Sequence, residues 1–388
     1  MNWEMVKVGD LFSIVGGGTP DRSNSKFWNG NIPWVTVKDF VSKRIERTQE
    51  SISELGVKSS ATNIIKKGSI IVPTRMALGK ISICTIDVAI NQDIKALLIK
   101  NHALIDTSYF CYFYESQADN IEKQGKGATV KGITLDVLRE IQIPLPPLAT
   151  QKRIAEILDA ADALRRKDQQ LLKKYDELAQ AIFIDMFGDP VKNEKGWEVK
   201  KLGDELKSIR YGTGSPPQYS EDGIPFLRAT NVKAGRIERK GMVFLTEKEA
   251  QKISKCIVNE GDLIIVRSGA NTGDCAYISA EYANCLAGYD LIVEMDKVKS
   301  RFYNYFLNSI WGKAIIEKLS RRAGQPHLNS EQVSNIECIA PDYFQLEKFK
   351  LEIDSLENLR KLSIETNNVS INLFQSLIQK AFTGELVQ

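Results

Sequence analysis

Two arginines stand just past short apolar runs in corresponding parts of the chain: Arg75 after residues 70–72, and Arg267 after residues 263–266. An arginine at the end of a buried strand presents a planar, permanently charged fork. That fork suits guanine O6 and N7, or a phosphate. A salt bridge closing a strand end would use the same residue. Polar side chains flank both arginines, Thr74 in the first region and Ser268 and Asn271 in the second, although solvated loops have the same composition. Two loops rich in Gly, Thr and Pro, residues 16–20 and 212–217, carry Thr19, Thr213 and Ser215. Glycines let a backbone approach phosphates while hydroxyls donate hydrogen bonds; taken alone, a tight turn accounts for the same residues. Two more loops are basic: residues 125–132 with Lys126, Thr129 and Lys131, and residues 320–327 with Arg321, Arg322, Gln325 and His327. A phosphate clamp and a solvated surface loop are the two readings of each. Lys38 in one region, and Arg228 with Asn231 in the other, follow an Ile-Pro-aromatic run, and asparagine pairs with adenine N6/N7.

Other chemistry lacks its parts. No G-x-x-x-x-G-K-[ST] loop, H-E-x-x-H helix, nucleophile elbow or N-P-P-[FY] motif occurs, and no matched pair of carboxylates or histidines recurs along the chain. The six cysteines are scattered without a C-x-x-C pair, and only two histidines exist, so structural zinc and a disulfide frame are not expected. A net charge of +3 is small for a free-standing DNA-binding protein, so any basic excess must be local or shared with a partner. The start, MNWEMVKVGD, has no apolar signal core, and no run approaches the roughly 18 apolar residues of a spanning helix; a cytoplasmic protein with no membrane contact is expected.

The elements that must position these residues come in two sets. Trp3-Glu4 and Gly9-Asp10 recur as Trp197-Glu198 and Gly203-Asp204, about 194 residues on, far beyond the roughly 20–50 residue period of a solenoid. Lys67-Gly68-Ser69-Ile70-Ile71 matches Glu260-Gly261-Asp262-Leu263-Ile264, and Ile133, Leu138, Ile141 and Pro146 match Leu328, Val333, Ile336 and Pro341. With 388 residues, 43% of them hydrophobic, the chain divides into two similar globular domains. Strand-like runs recur in both, at 31–37, 69–72, 81–86 and 96–99, then at 225–229, 262–266, 275–278 and 289–293. Trp34 and Phe226 lie within such runs and read as core.

Each copy ends in a heptad-like helix. Ile154, Ile157, Ala161, Leu164, Leu171, Tyr175, Leu178 and Ile182 step by three and four, as do Phe349, Ile353, Leu356, Leu359, Leu362, Val369, Leu373, Leu377 and Ala381. About 36 residues at 1.5 Å each make a rod of roughly 50 Å, too long to stand without a partner. Asp168 is the polar interior position of the first seam. Antiparallel pairing would set it near residues 366–368, a polar layer able to fix register. The expected boundaries are 1–148 and 189–341 for the globular domains, with helices at 149–188 and 342–388. Two similar modules on a paired rod suit a linear target with two marks, and equivalent groove faces of DNA recur about every 34–36 Å.

The stretch 129–164, TVKGITLDVLREIQIPLPPLATQKRIAEILDAADAL, resembles the end of a target-recognition domain and the start of the first repeat helix in specificity subunits of type I restriction-modification enzymes. The openings WEMVKVGDLFSIVGGGTP and WEVKKLGDEL, the later YGTGSPP and the exit FGDP are similar to the same family, so the resemblance spans essentially the whole chain. It implies an α+β fold: two mixed α/β target-recognition domains separated by two long helices that pair as an antiparallel coiled coil, with pseudo-twofold symmetry. It implies that each domain reads half of a bipartite, asymmetric sequence in double-stranded DNA, that the helices act as a ruler, and that the chain is not an enzyme. Two modification subunits would dock on it, carrying S-adenosylmethionine, and two restriction subunits, where present, would supply ATP- and Mg-dependent translocation and cleavage. No cofactor is expected on this chain itself. Residues 146–151, PPLATQ, depart from the family in having Ala-Thr where an acidic residue often precedes the Gln, which leaves that docking detail open. A coiled-coil scaffold with two duplicated protein-binding domains is the competing reading; it has no need of Arg and Lys in corresponding loops.

Overall fold

A computed structural model describes residues 3–127, 130–321 and 325–387. They form two compact units, one of residues 1–169 with 365–388 and one of residues 170–364, so the division falls inside both long helices.

In the first unit, the apolar run Ile70–Pro73 is buried on both faces and is central in a five-stranded sheet. Its neighbours are Ile94–Ile99, which also pairs with Phe12–Gly16, and Ser82–Cys84, which pairs in parallel with Arg44–Ile45. A second sheet runs Glu50–Ile52, Trp28–Val35, Val88–Ile90, Ile64–Ile65, with Trp28–Val35 and Val88–Ile90 parallel. Met5–Lys7 pairs with Gln142–Pro144, tying the chain start to the entry of the first long helix.

The second unit repeats this order. Its main sheet runs Ser208–Tyr211, Leu291–Glu294, Leu263–Ile265, Cys275–Tyr277; its second runs Val243–Leu245, Ile224–Leu227, Leu286–Ala287, again with one parallel pair. Glu198–Lys201 pairs with Glu337–Ala340 as Met5–Lys7 does with Gln142–Pro144. Trp34 and Phe226 are buried, as expected for strand residues, and all six cysteines are buried free thiols. The duplication is thus one of topology, carried by apolar runs that must be covered on both faces.

The long helices are Leu148–Phe187 and Tyr343–Thr383. Within each unit their segments run antiparallel. In the first, Asp168 accepts a hydrogen bond from Ser370, and Ile154, Ala155 and Leu158 share a core with Ala381. In the second, Arg360 donates to Asp176 at 3.1 Å, and Phe183 and Phe187 pack on Phe349. Asp168 thus pairs with Ser370, two residues past the expected 366–368.

The seam also departs from the heptad reading. Ile154, Phe349 and Leu356 are buried and Ile157 and Leu377 half-buried, but Leu164, Leu171, Leu178 and Leu373 are exposed. The buried face includes Leu158 and Ala179, one residue beyond the expected Ile157 and Leu178. A straight helix drifts about 20° per heptad from a 3.5-residue repeat, and each segment here must face a globular domain as well as the other helix. The aromatic ends show this. Phe382 lies 5.4 Å from both Tyr109 and Phe113, and Phe187 lies 4.7 Å from Phe302.

The two Gly-rich loops are pressed against their own sheets. A Cβ on Gly17 would fall 2.0 Å from the Ile90 carbonyl oxygen, and one on Gly212 would fall 1.6 Å from that of Gly288. Close approach to protein backbone is what these glycines serve. Gly212→Ala is expected to destabilise the second unit by about 1–3 kcal/mol, the cost of overpacking a site that cannot relax, read as a lower urea midpoint. An unchanged midpoint would show that the strand end at Gly288 gives way.

Candidate nucleic-acid interface

Each unit carries a lip where the end of a central strand meets a later loop. In the first, Ile133 donates its N–H to the Thr74 carbonyl at 2.9 Å, while Arg75 and Lys126 each bridge to Gly132. Arg75, Lys126 and Lys131 are thereby brought together, all exposed. Arg75 lies 3.9 Å from Asp93 with its side chain 56% exposed, too loose a pair to commit the guanidinium. Thr19 reaches the same end, donating its hydroxyl to Gln92. Lys38 is exposed on the turn Val37–Asp39 and shares no bond with the lip.

In the second unit, Leu328 donates its N–H to the Arg267 carbonyl at 2.8 Å and Ser268 bridges to His327. These are the bonds made by Thr74 and Arg75 in the first copy. Arg267 therefore stands where Thr74 does, and Ser268 where Arg75 does: the frames coincide and the side chains do not. The Arg267 guanidinium lies between two rings, 4.5 Å from the centroid of Tyr211 and 4.3 Å from that of Tyr289, with its Nη2 2.9 Å from His327 Nε2. Its Nε is buried and makes no hydrogen bond, an uncompensated donor in a group otherwise held in place. Gln325 lies beside Gly269, and Asn271 reaches the Ala229 carbonyl at 3.5 Å, closing the loop over the second sheet.

Several expected residues do other work. Thr74 is buried, and both its N–H and its hydroxyl donate to the Asp93 carbonyl, at 2.7 and 3.1 Å. Asn231 is fully buried; it accepts from the Arg228 N–H and donates to the carbonyls of Glu238 and Lys240. Neither is available to a base. Arg228 spends part of its fork on the Gly241 carbonyl at 2.6 Å. The Thr213 hydroxyl donates to the carbonyl of Ser215 within an exposed turn, and Arg321 pairs with Glu317 one helical turn back. Thr129 and Arg322 lie outside the described residues. Among the described residues no cluster of His, Cys, Asp or Glu fits a metal ion, and no described helix is long and apolar enough to cross a membrane.

Residue type alone does not mark Tyr211, Tyr289, the half-buried Asp93 or the buried Asp290. A signal existed for the acids: each stands immediately before the first residue of a repeated central strand, Ile94–Ile99 or Leu291–Glu294. Asp290 accepts the Arg267 N–H at 3.3 Å, yet burial pushes its carboxyl up to about 6. A carboxyl raised above its unfolded value stabilises fully below that value, and the contribution is lost as pH rises through about 6. Asp290→Asn is accordingly expected to raise the stability of the second unit by on the order of 2–3 kcal/mol at pH 7.5. The gain should shrink as pH falls towards 4; urea titrations at both ends of that window measure it, and a pH-independent difference would contradict it.

Comparison with known proteins agrees with this geometry. A family model described as the type I restriction modification DNA specificity domain matches residues 1–174 and again 194–372. The chain is 26% identical to the type I restriction enzyme MjaIX specificity subunit of Methanocaldococcus jannaschii, over 99% of this chain and 94% of that one. It is 31% identical to the EcoR124I/EcoR124II specificity subunit of Escherichia coli over 46% of this chain and 45% of that one. In fold it is similar to the S subunit of a type I restriction-modification system from M. genitalium, with a TM-score of 0.62 at 15% identity, covering 98% and 96% of the two chains. A chain from a structure of type I R-M complex assembly and conformational transition matches with a TM-score of 0.57 at 16% identity, covering 99% and 98%.

Proposed function

Because the chain belongs to the family of type I restriction-modification DNA specificity subunits, we propose that its two units each read one half of a bipartite, asymmetric site in double-stranded DNA. The observation that carries this is the repeated lip. In both units the same backbone bonds join a strand end to a later loop, and the side chains set there differ: the exposed Arg75, Lys126 and Lys131 against the half-buried Arg267 and His327 and the exposed Gln325. A common frame with unlike donors is what two half-sites of different sequence require, since phosphate contacts position a reader while base contacts specify.

On this reading the long helices set the unread spacer and receive two modification subunits, along with two restriction subunits where the system has them. The chain itself does no chemistry and works in the cytoplasm. S-adenosylmethionine, ATP and Mg are held by the partners, and adenine N6 is the atom methylated. A protein-binding scaffold is disfavoured by the family membership and by the basic lip in each copy. Expression with the neighbouring modification subunit in a methylation-free host, followed by genome-wide mapping of N6-methyladenine, tests the proposal. One gapped, asymmetric motif is expected; no motif, or an ungapped palindrome, would contradict it.

A further inference from the structure

The two units are copies, and at one position the difference between them opens a cavity. In the first unit Phe374, on the second long helix, lies edge-on to Tyr112 with ring centroids 6.0 Å apart, and the Arg165 guanidinium sits 5.2 Å from its ring. The matching position in the second unit is Ala179 on the first long helix. Flanking contacts establish the match: Phe382 packs on Tyr109 and Phe113 as Phe187 packs on Phe302. Tyr112 and Tyr305 each donate a phenolic hydrogen bond to a carboxylate of their unit's own long helix, Asp159 at 2.7 Å and Glu357 at 3.1 Å. Lys43 and Arg236 likewise reach Asp162 and Glu357.

Where the phenyl ring is missing, the second unit has a cavity of about 740 Å³ with Ala179 and Tyr305 in its wall. Its apolar wall is Ala179, Phe183, Ile184, Tyr305, Ile310 and Trp311. The charges around it are already paired: Arg236 with Asp176 at 2.9 Å and Glu357 at 2.7 Å, Arg301 with Asp354 at 2.8 Å, and Lys313 with Asp274. A charged occupant would gain nothing from a balanced wall and would lose its hydration. At the mouth, Ile310 is 76% exposed and Ile184 40% exposed. A pocket of this size with an apolar rim has the form of an anchor site in a protein interface, in which one buried aromatic side chain supplies most of the binding energy.

We infer that this cavity receives an aromatic side chain of the modification subunit docked on the second unit, filling the space that Phe374 fills internally in the first. The inference rests on the function proposed above. Two variants test it in the full-length chain reconstituted with purified modification subunit. Ile310→Asp places a charge on the exposed rim without touching the core, and Ala179→Phe plugs the cavity with the side chain that the first unit uses. Both are expected to weaken binding of one of the two modification subunits at least tenfold by calorimetry. Native mass spectrometry should then show one modification subunit per chain, with the unfolding midpoint of Ile310→Asp unchanged. A photo-crosslinker at position 310 should join a segment of the modification subunit that bears Phe, Tyr or Trp. Two modification subunits bound at wild-type affinity to both variants would overturn the assignment. So would a crosslink to a second copy of this chain, no crosslink at all, or a small molecule filling the cavity in the native mass. Failure of the wild-type chain to bind any modification subunit would instead sink the underlying functional reading.

Discussion

Arg267→Ala is expected to weaken binding of the cognate site by roughly 10- to 100-fold, the scale of about 1–3 kcal/mol for one good forked contact to a base. The side chain is suited to that role because its position is already bought by the fold. Tyr211 and Tyr289 sandwich the guanidinium, His327 meets one end of it, and the Arg267 N–H is tied to Asp290. A fork so held loses little freedom on binding. Losing it should relax one base position in the half-site read by the second unit and leave the other half-site untouched. Competition binding against every single-base variant of the site measures this. An equal loss on all sequences, with a flatter salt dependence, would make Arg267 a phosphate contact instead.

Phe187→Ala is expected to remove about 3–5 kcal/mol from the second unit, the range for deleting a fully buried phenyl group. The ring is 0% exposed and lies within 5.4 Å of Phe183, Phe302 and Phe349, centroid to centroid. Its carbonyl also accepts the indole N–H of Trp197 at 2.9 Å, so the helix end and the start of the second globular domain meet at one residue. Calorimetry should show the second unit melting ahead of the first, with hydrogen exchange accelerated in residues 170–364 and little changed elsewhere. A loss below about 1 kcal/mol would mean that the cluster repacks around the void.

Much of the architecture was legible before any fold was considered. The repeat of Trp-Glu and Gly-Asp pairs, the matched apolar runs and the two heptad-like stretches lead to two copies of one domain and two long helices. Those elements appear as Leu148–Phe187, Tyr343–Thr383 and two sheets of like strand order. The candidate interface was legible in part. Arg75, Lys126 and Lys131 do converge, as do Arg267, Ser268, Gln325 and His327. Thr74 and Asn231 instead turn inward; a polar residue next to a strand end has the same sequence signature whether it faces solvent or satisfies buried carbonyls.

By itself the sequence determined the duplication, the strand and helix order, and the places where basic loops adjoin strand ends. These follow from periodicity and spacing along the chain, which act locally. Only the tertiary structure decided which side of each helix is buried, since Leu158 and Ala179 rather than Leu164 and Leu178 face inward once a domain and a second helix press on the same segment. It also decided that Arg267 is the counterpart of Thr74, that two tyrosines from different strand ends enclose it, and that Ala179 leaves open what Phe374 fills. Each of these depends on residues far apart in the chain sharing one space, and packing of that kind leaves no periodic trace.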